Sequence, residues 1–191
     1  MLKDQEVNLT EVDPALHRAV VGLGWAVPEL SHGFAVDLDA SAFLLNRESR
    51  VRHDMDFIFY NNLESEGSFV KHLGDNTTGE GDEDKEKIEI NLDNLPFDVE
   101  KVAFCVTIHN AQERQQTFGL VKDAYIRISD QDSGVELARF DLTEDASEDN
   151  AFIFGEISRE GMGWKFKALG QGTPGGLYKI ARDYKVNVAA P

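Results

Sequence analysis

One cysteine in 191 residues excludes a disulfide framework. That residue, Cys105, stands in the apolar run Lys101-Val-Ala-Phe-Cys-Val-Thr-Ile-His109, where a small thiol reads as core packing and suits a reducing compartment. Long apolar runs are also missing. Nowhere do about 18 consecutive apolar residues occur, and Met1-Leu-Lys-Asp-Gln-Glu-Val7 lacks the basic start and apolar stretch of a signal peptide, so the expectation is a cytoplasmic chain without membrane insertion. Basic residues are scarce: 19 Lys and Arg face 35 Asp and Glu, a formal net charge of −16. Such a field repels phosphate backbones and anionic headgroups, so nucleic acid is not expected as a direct partner and cations are. Helical periodicity is sparse as well, confined to Ala111–Gln116, with Asn110 as a candidate N-cap, and Gly175–Tyr184.

What is present is material for a β core. Apolar residues make up 41% of the chain, 12 of them Phe, and one domain of this length buries about 70% of its unfolded surface. Alternating or short apolar runs bounded by Gly, Asp, Asn and Pro predict strands near Glu6–Thr10, Arg18–Trp25, Gly33–Leu45, Asp56–Asn61, Lys87–Leu92, Val102–His109, Ala124–Ser129, Val135–Leu142, Phe152–Ser158 and Gly163–Leu169. Many short strands with few helices predict a mainly β chain: a β-sandwich of two antiparallel sheets with a few short peripheral helices, in a single domain spanning 1–191. Phe34–Ser41 is echoed by Phe140–Ser147, Gly22-Leu-Gly-Trp25 by Gly161-Met-Gly-Trp164, and Asp56–Tyr60 by Ala151–Gly155. Two related halves of one sandwich, or chance resemblance, account for these echoes; two copies are too few for a solenoid.

The segment His72–Ile88 carries the most chemistry. Between Asp75 and Glu86 it holds six carboxylates against the single Lys85, a net charge of −5. Two unit charges 4 Å apart repel by about 1 kcal/mol even in bulk water, so gathering these groups in a folded loop calls for a cation. Calcium suits the composition because it takes several oxygen ligands in irregular geometry, and Gly74, Gly79 and Gly81 let carbonyls turn inward. Zinc would want His and Cys at closer spacing than this chain offers, and magnesium a tighter, wetter octahedron. The loop is not an EF-hand, because Asp82-x-Asp84-x-Glu86 is followed by Lys87 where Gly is needed. Asp37-x-Asp39 and Asp54-x-Asp56 could complete a site, since strand-end loops converge in a sandwich.

Gly22-Leu-Gly-Trp25, Asp37-Leu-Asp-Ala-Ser41, Asp56-Phe-Ile-Phe-Tyr-Asn61, Gly74-Asp-Asn-Thr-Thr-Gly-Glu-Gly-Asp-Glu-Asp-Lys-Glu86, Arg139–Ser147 and Trp164–Gly172, in that order, resemble the TerD family of bacterial tellurite-resistance and stress-response clusters. The resemblance covers nearly the whole chain. It implies a calcium-binding β-sandwich, with one or two ions held among Asp37, Asp39, Asp56, Asp75, Asn76, Thr78, Gly79, Asp82, Asp84 and Glu86. It also implies action beside other tellurite-resistance proteins and a TerC-type membrane protein, which would hold the chain at the inner membrane peripherally. Three positions depart from the family pattern: Glu83 replaces Gly, Lys85 replaces Asp, and Ala26 replaces the Asp that usually follows Trp25. Either lost carboxylate would weaken or remove a metal site.

No catalytic residue is assigned, and the chain is read as a sensor or scaffold. The alternatives are a metal-dependent hydrolase using Asp39, Asp75 and Asp82, for which the acidic loop offers no evident base or phosphate-binding cation, and an adaptor whose calcium is purely structural. A single buried thiol offers no reactive pair for chemistry on tellurium. Gly170-Gln-Gly-Thr-Pro-Gly175 matches a dinucleotide fingerprint but has only 16 residues after it, too few for the second strand and the acidic residue such a fold needs.

Overall fold

The computed structural model describes residues 1–26, 36–74, 84–141 and 148–189. Among them eleven strands form two antiparallel sheets. The strands are β1 Glu6–Asn8, β2 Arg18–Ala26, β3 Leu38–Leu45, β4 Phe57–Ile58, β5 Val70–His72, β6 Glu86–Asn91, β7 Lys101–Ile108, β8 Lys122–Asp130, β9 Glu136–Asp141, β10 Ala151–Glu160 and β11 Gly163–Thr173. One sheet runs β1-β11-β10-β7-β3-β4 and the other β5-β6-β2-β8-β9. The expected β-sandwich is the observed architecture.

Alternation explains the layers. Along β3, Leu38, Ala40, Ala42 and Leu44 point between the sheets, where they meet Leu23, Ile88 and Ile126, while Phe43 and Leu45 point outward. That outer face would be exposed but for α3, Gly176–Asp183, whose Ile180 and Ala181 pack on Phe43, Ala103 and Cys105. The middle of the six-stranded sheet is thus covered on both faces, which is why β3 and β7 read as nearly continuous apolar runs.

Ten of the eleven strands lie where alternation or short apolar runs predict them. The predicted Asp56–Asn61 strand shortens to Phe57–Ile58 because the Asn62 side-chain amide donates to the Phe57 carbonyl at 2.6 Å and turns the chain. The strand expected to reach Thr10 gives way to α1, Leu9–Val12, whose N-cap Asn8 accepts the Glu11 N–H at 3.0 Å. α2, Ala111–Arg114, sits inside the predicted helix, but Asn110 makes no side-chain cap; it turns the chain at a φ of 52° instead. The echoed segments occupy different places. Gly22–Trp25 lies inside β2, whereas Gly161–Trp164 forms the β10–β11 hairpin tip.

Register places the functional segments. β2 ends against the start of β8, with Ala26 opposite Lys122, and Leu23 lies opposite Glu86 at the start of β6. β9 ends opposite Tyr125, and in the other sheet Leu38 pairs with Ile108 and Ala151 with Thr107. The strand ends flanking segments 27–35, 75–83 and 142–147 therefore lie at one end of the sandwich.

Candidate metal end of the sandwich

Of the ten residues singled out for metal, Asp75, Asn76, Thr78, Gly79 and Asp82 lie outside the described residues. The other five are described, and the structure spreads them over four locations. Asp84 is buried on the outer face of the five-stranded sheet. Arg127 grips it with two hydrogen bonds, Nε to Oδ1 at 2.8 Å and Nη2 to Oδ2 at 2.9 Å, and the Tyr125 hydroxyl donates to Oδ1 at 3.0 Å. The Gly22-x-Gly24 motif makes room for this cluster. A Cβ on Gly22 would stand 2.5 Å from the Asp84 carboxylate, and one on Gly24 would stand 2.3 Å from the Tyr125 ring.

Glu86, two residues on, faces the opposite way into the core. Its carboxylate accepts the Ala40 N–H from the other sheet, and His72 lies beside it at 3.5 Å. His72 Nε2 is 3.2 Å from the Ala40 carbonyl, while its Nδ1 accepts the Gly74 N–H at 3.1 Å. With Nδ1 accepting, the proton sits on Nε2 and points at that carbonyl. β4 ends its pairing at Ala42, so the Ala40 peptide groups lie on an open strand edge, and Glu86 and His72 satisfy them. Both roots of segment 75–83 are therefore fastened: His72 and Leu73 at one side, the latter donating to the Lys87 carbonyl, and Asp84 and Glu86 at the other.

Asp37 and Asp39 belong to the adjoining strand end. The Asp37 carbonyl accepts the His109 N–H, and Asp39 Oδ2 lies 3.2 Å from His109 Nδ1. Asp39 shares the outward parity of Phe43, so it opens on the far side of the six-stranded sheet from Glu86. Asp56 does not join this end. β4 runs antiparallel to β3, with Phe57 opposite Phe43, which sets Asp56 toward the other end of the sandwich. There Arg52 fills its carboxylate through Nε, Nη2 and the backbone N–H at 2.8–3.0 Å and also pairs with Asp98. The hydrogen bond to Asp56 is the main reason the Arg52 pKa is raised.

Among the described residues no three His, Cys, Asp or Glu side chains gather as a metal cage. Burial pushes the Cys105 thiol pKa well up, so it carries no thiolate chemistry. Arg127, Tyr125 and His109 went unnoticed in the sequence because their partners are 41 to 70 residues away. Only the paired glycines of β2 hinted at a close approach.

A TerD-domain family model matches residues 1–184. The chain belongs to the TerD family. It is 49% identical over 187 residues to the tellurium resistance protein TerD of Serratia marcescens, covering 98% of this chain and 97% of that one. Identity to general stress protein 16U of Bacillus subtilis (strain 168) is 44% over 188 residues, covering 98% and 97%. A crystal structure of a homologue of telluride resistance protein (TerD) from Streptomyces coelicolor A3(2) superposes with a TM-score of 0.71 at 21% identity, covering 87% of this chain and 96% of that one, which shows a shared TerD fold. In this TerD-family chain no described helix is long and apolar enough to cross a membrane.

Proposed function

We propose that this TerD-family chain is a non-catalytic, calcium-binding sensor or scaffold of tellurite and general stress resistance, acting in the cytoplasm. Relatives named for tellurium resistance and for general stress support the setting. One observation carries the calcium reading: the acidic segment 75–83 springs from roots held by Glu86, His72 and Asp84, at the end where the flanks of 27–35 and 142–147 also lie. A loop whose ends are pinned loses less freedom on closing round an ion, which lowers the cost of gathering carboxylates there.

The donor set fits calcium, being carboxylate, amide and backbone oxygen without thiol or paired imidazoles. Asp75, Asn76, Thr78, Gly79 and Asp82 would hold the ion, with Asp37 at its margin. Asp84 and Glu86 act as braces for the loop, and Asp56 serves the opposite end. Calcium bound there would offset the mutual repulsion of these carboxylates. That end of the sandwich is the part that would meet other tellurite-resistance proteins and a TerC-type membrane protein.

Thermal unfolding and calorimetric titration test this together. An ion that binds only the folded state stabilises by about 2.7 kcal/mol at a hundredfold excess over Kd, so millimolar calcium should raise the midpoint above that in chelator. Asp82→Asn should weaken affinity strongly and the surface change Asp183→Asn should not. An unchanged midpoint overturns the calcium reading, and equal stabilisation by magnesium reduces it to charge screening. Calcium-dependent hydrolysis of a phosphate ester that is lost in Asp82→Asn would replace the sensor with an enzyme.

A further inference from the structure

The connection from β6 to β7 closes the Asp56 end of the sandwich and turns at Pro96–Val99, where the Val99 N–H donates to the Pro96 carbonyl at 2.9 Å. Leu95 and Val99, on either side of the turn, are buried in the core. Arg159 clamps the turn by donating to the carbonyls of Leu95, Pro96 and Val99 at 2.9–3.1 Å, and Asp98 is tied to Arg52 at 2.9 Å. On this fastened turn stands Phe97, which is 89% exposed and takes no part in either apolar cluster of the described residues. A ring held out to water by a braced turn adds nothing to the core. It has little freedom to lose on meeting another surface, and aromatic anchors of this kind carry much of the energy of protein interfaces.

Beside the ring lies a shallow groove of about 410 Å³ lined by Asn46, Arg47, Glu48, Asp98, Glu100 and Phe97 itself. Asp98 is bound to Arg52, and Glu48 lies 3.6 Å from Arg50. The Arg47 guanidinium and the Glu100 carboxylate, by contrast, have no hydrogen bond or ion pair with a described residue. One patch thus carries a projecting ring, an adjoining recess and an unpaired charge of each sign. That pattern is self-complementary: a two-fold axis through it sets the ring of each copy in the groove of the other and brings Arg47 of each toward Glu100 of the other. Two chains of net charge −16 repel over most of their surfaces, but here Arg47, Arg50 and Arg52 stand against Glu48, Asp98, Glu100 and the buried Asp56, so the patch is close to neutral. We propose that the Phe97 turn is a self-association surface through which two copies of this chain pair, each Phe97 seated in the other copy's groove against its Arg47 guanidinium, a cation–π contact. Two such rings bury about 150–250 Å² each, a fraction of the roughly 1,200–2,000 Å² of a stable interface, so the pairing is weak and concentration-dependent. It directs the two segments 75–83 away from each other, because the groove lies where β3 ends and β7 begins, opposite the end from which those segments spring.

Sedimentation equilibrium of the full chain from about 10 μM to about 1 mM, in about 0.15 M salt, tests the pairing; at that ionic strength charges more than about 8 Å apart are largely screened and those in contact are not. A reversible monomer–dimer equilibrium is expected. Phe97→Ser should weaken it by about tenfold or more, with the thermal midpoint unchanged because the ring lies outside the core. Arg47→Glu and Glu100→Arg should each weaken it by about threefold or more, since each sets like charges opposite one another, and the double variant should recover most of the loss. A merely structural role for either residue would give no such recovery. Leu2→Ser, which removes an exposed apolar side chain away from the turn, should change nothing. A chain that stays monomeric throughout the range overturns the proposal and leaves Phe97 to a different protein. A dimer that Phe97→Ser leaves intact, a double variant no better than either single one, or an equal loss in Leu2→Ser overturns it as well. The pairing is measured in chelator, so failure of the calcium reading leaves this test intact.

Discussion

The two ends of the sandwich use the same residue types to different effect. At one end Arg52 neutralises Asp56 and Asp98, and Arg159 bonds the carbonyls of Leu95, Pro96 and Val99 while its guanidinium stacks on Trp164 at 4.5 Å. At the other end Arg127 braces Asp84 in the same way, but Glu86 is held by a backbone N–H and lies beside His72, and Asp39 lies beside His109. A guanidinium beside a carboxylate makes a closed, neutral brace. Acidity alone therefore does not mark a cation site, since carboxylates at both ends have partners within the protein.

Removing Asp56 gives the largest expected effect. Asp56→Ala leaves the Arg52 guanidinium partly buried without its main partner, and breaking a buried pair on one side costs about 3–5 kcal/mol. Urea denaturation measures it. Calcium affinity should not move, and a fall in affinity would erase the division between the two ends. Gly22→Ala should cost about 1–3 kcal/mol, because the new methyl group displaces Asp84 from Arg127 in a packed face. Its calcium affinity should fall as well, since one root of segment 75–83 is loosened. A destabilised protein with unchanged affinity would show that the root does not organise the loop.

Glu86→Gln keeps the shape and the hydrogen-bond acceptor for Ala40 but loses the charge, so about 1 kcal/mol is expected, with calorimetry as the more telling measurement. Weaker calcium binding with little loss of stability would place the Glu86 charge in the field that attracts the ion. The smallest effect concerns Asp130, at the β8–β9 turn of the Asp56 end. The Ser133 side chain, then the backbone N–H groups of Ser133 and Asp132 and the charge of Arg18, hold its carboxyl below the usual range against an opposing effect of burial. A folded-state pKa below the unfolded one stabilises above the ordinary carboxylate range, near pH 4, and that stabilisation is lost as pH falls through the folded value. Denaturation midpoints measured from pH 6 down to pH 2 should fall less steeply in Asp130→Asn.

Alternation of side chains along β6, β8, β10 and β11 and the short apolar runs of β2, β3 and β7 were enough to assign the fold, because each strand must bring at least one face to an apolar core and that requirement is written locally. β5 escaped because Val70-Lys-His72 is too short to show a period, and α1 because its four residues follow a strand directly, although Asn8-x-x-Glu11 carried a capping signal. The acidic segment was legible as a charge run whose glycines permit inward-turned carbonyls. What lay beyond the sequence was the fate of each carboxylate. Asp37-x-Asp39 and Asp54-x-Asp56 look alike as letters, yet Asp39 lies beside a histidine 70 residues away and Asp56 closes on Arg52 within its own turn. Asp84 and Glu86 are two residues apart and face opposite sides of one sheet. Composition and local pattern set how much charge the chain must accommodate and which segments become strands. Only the folded arrangement decided which partner each carboxylate meets, because Coulomb attraction depends on distance in space and not along the chain.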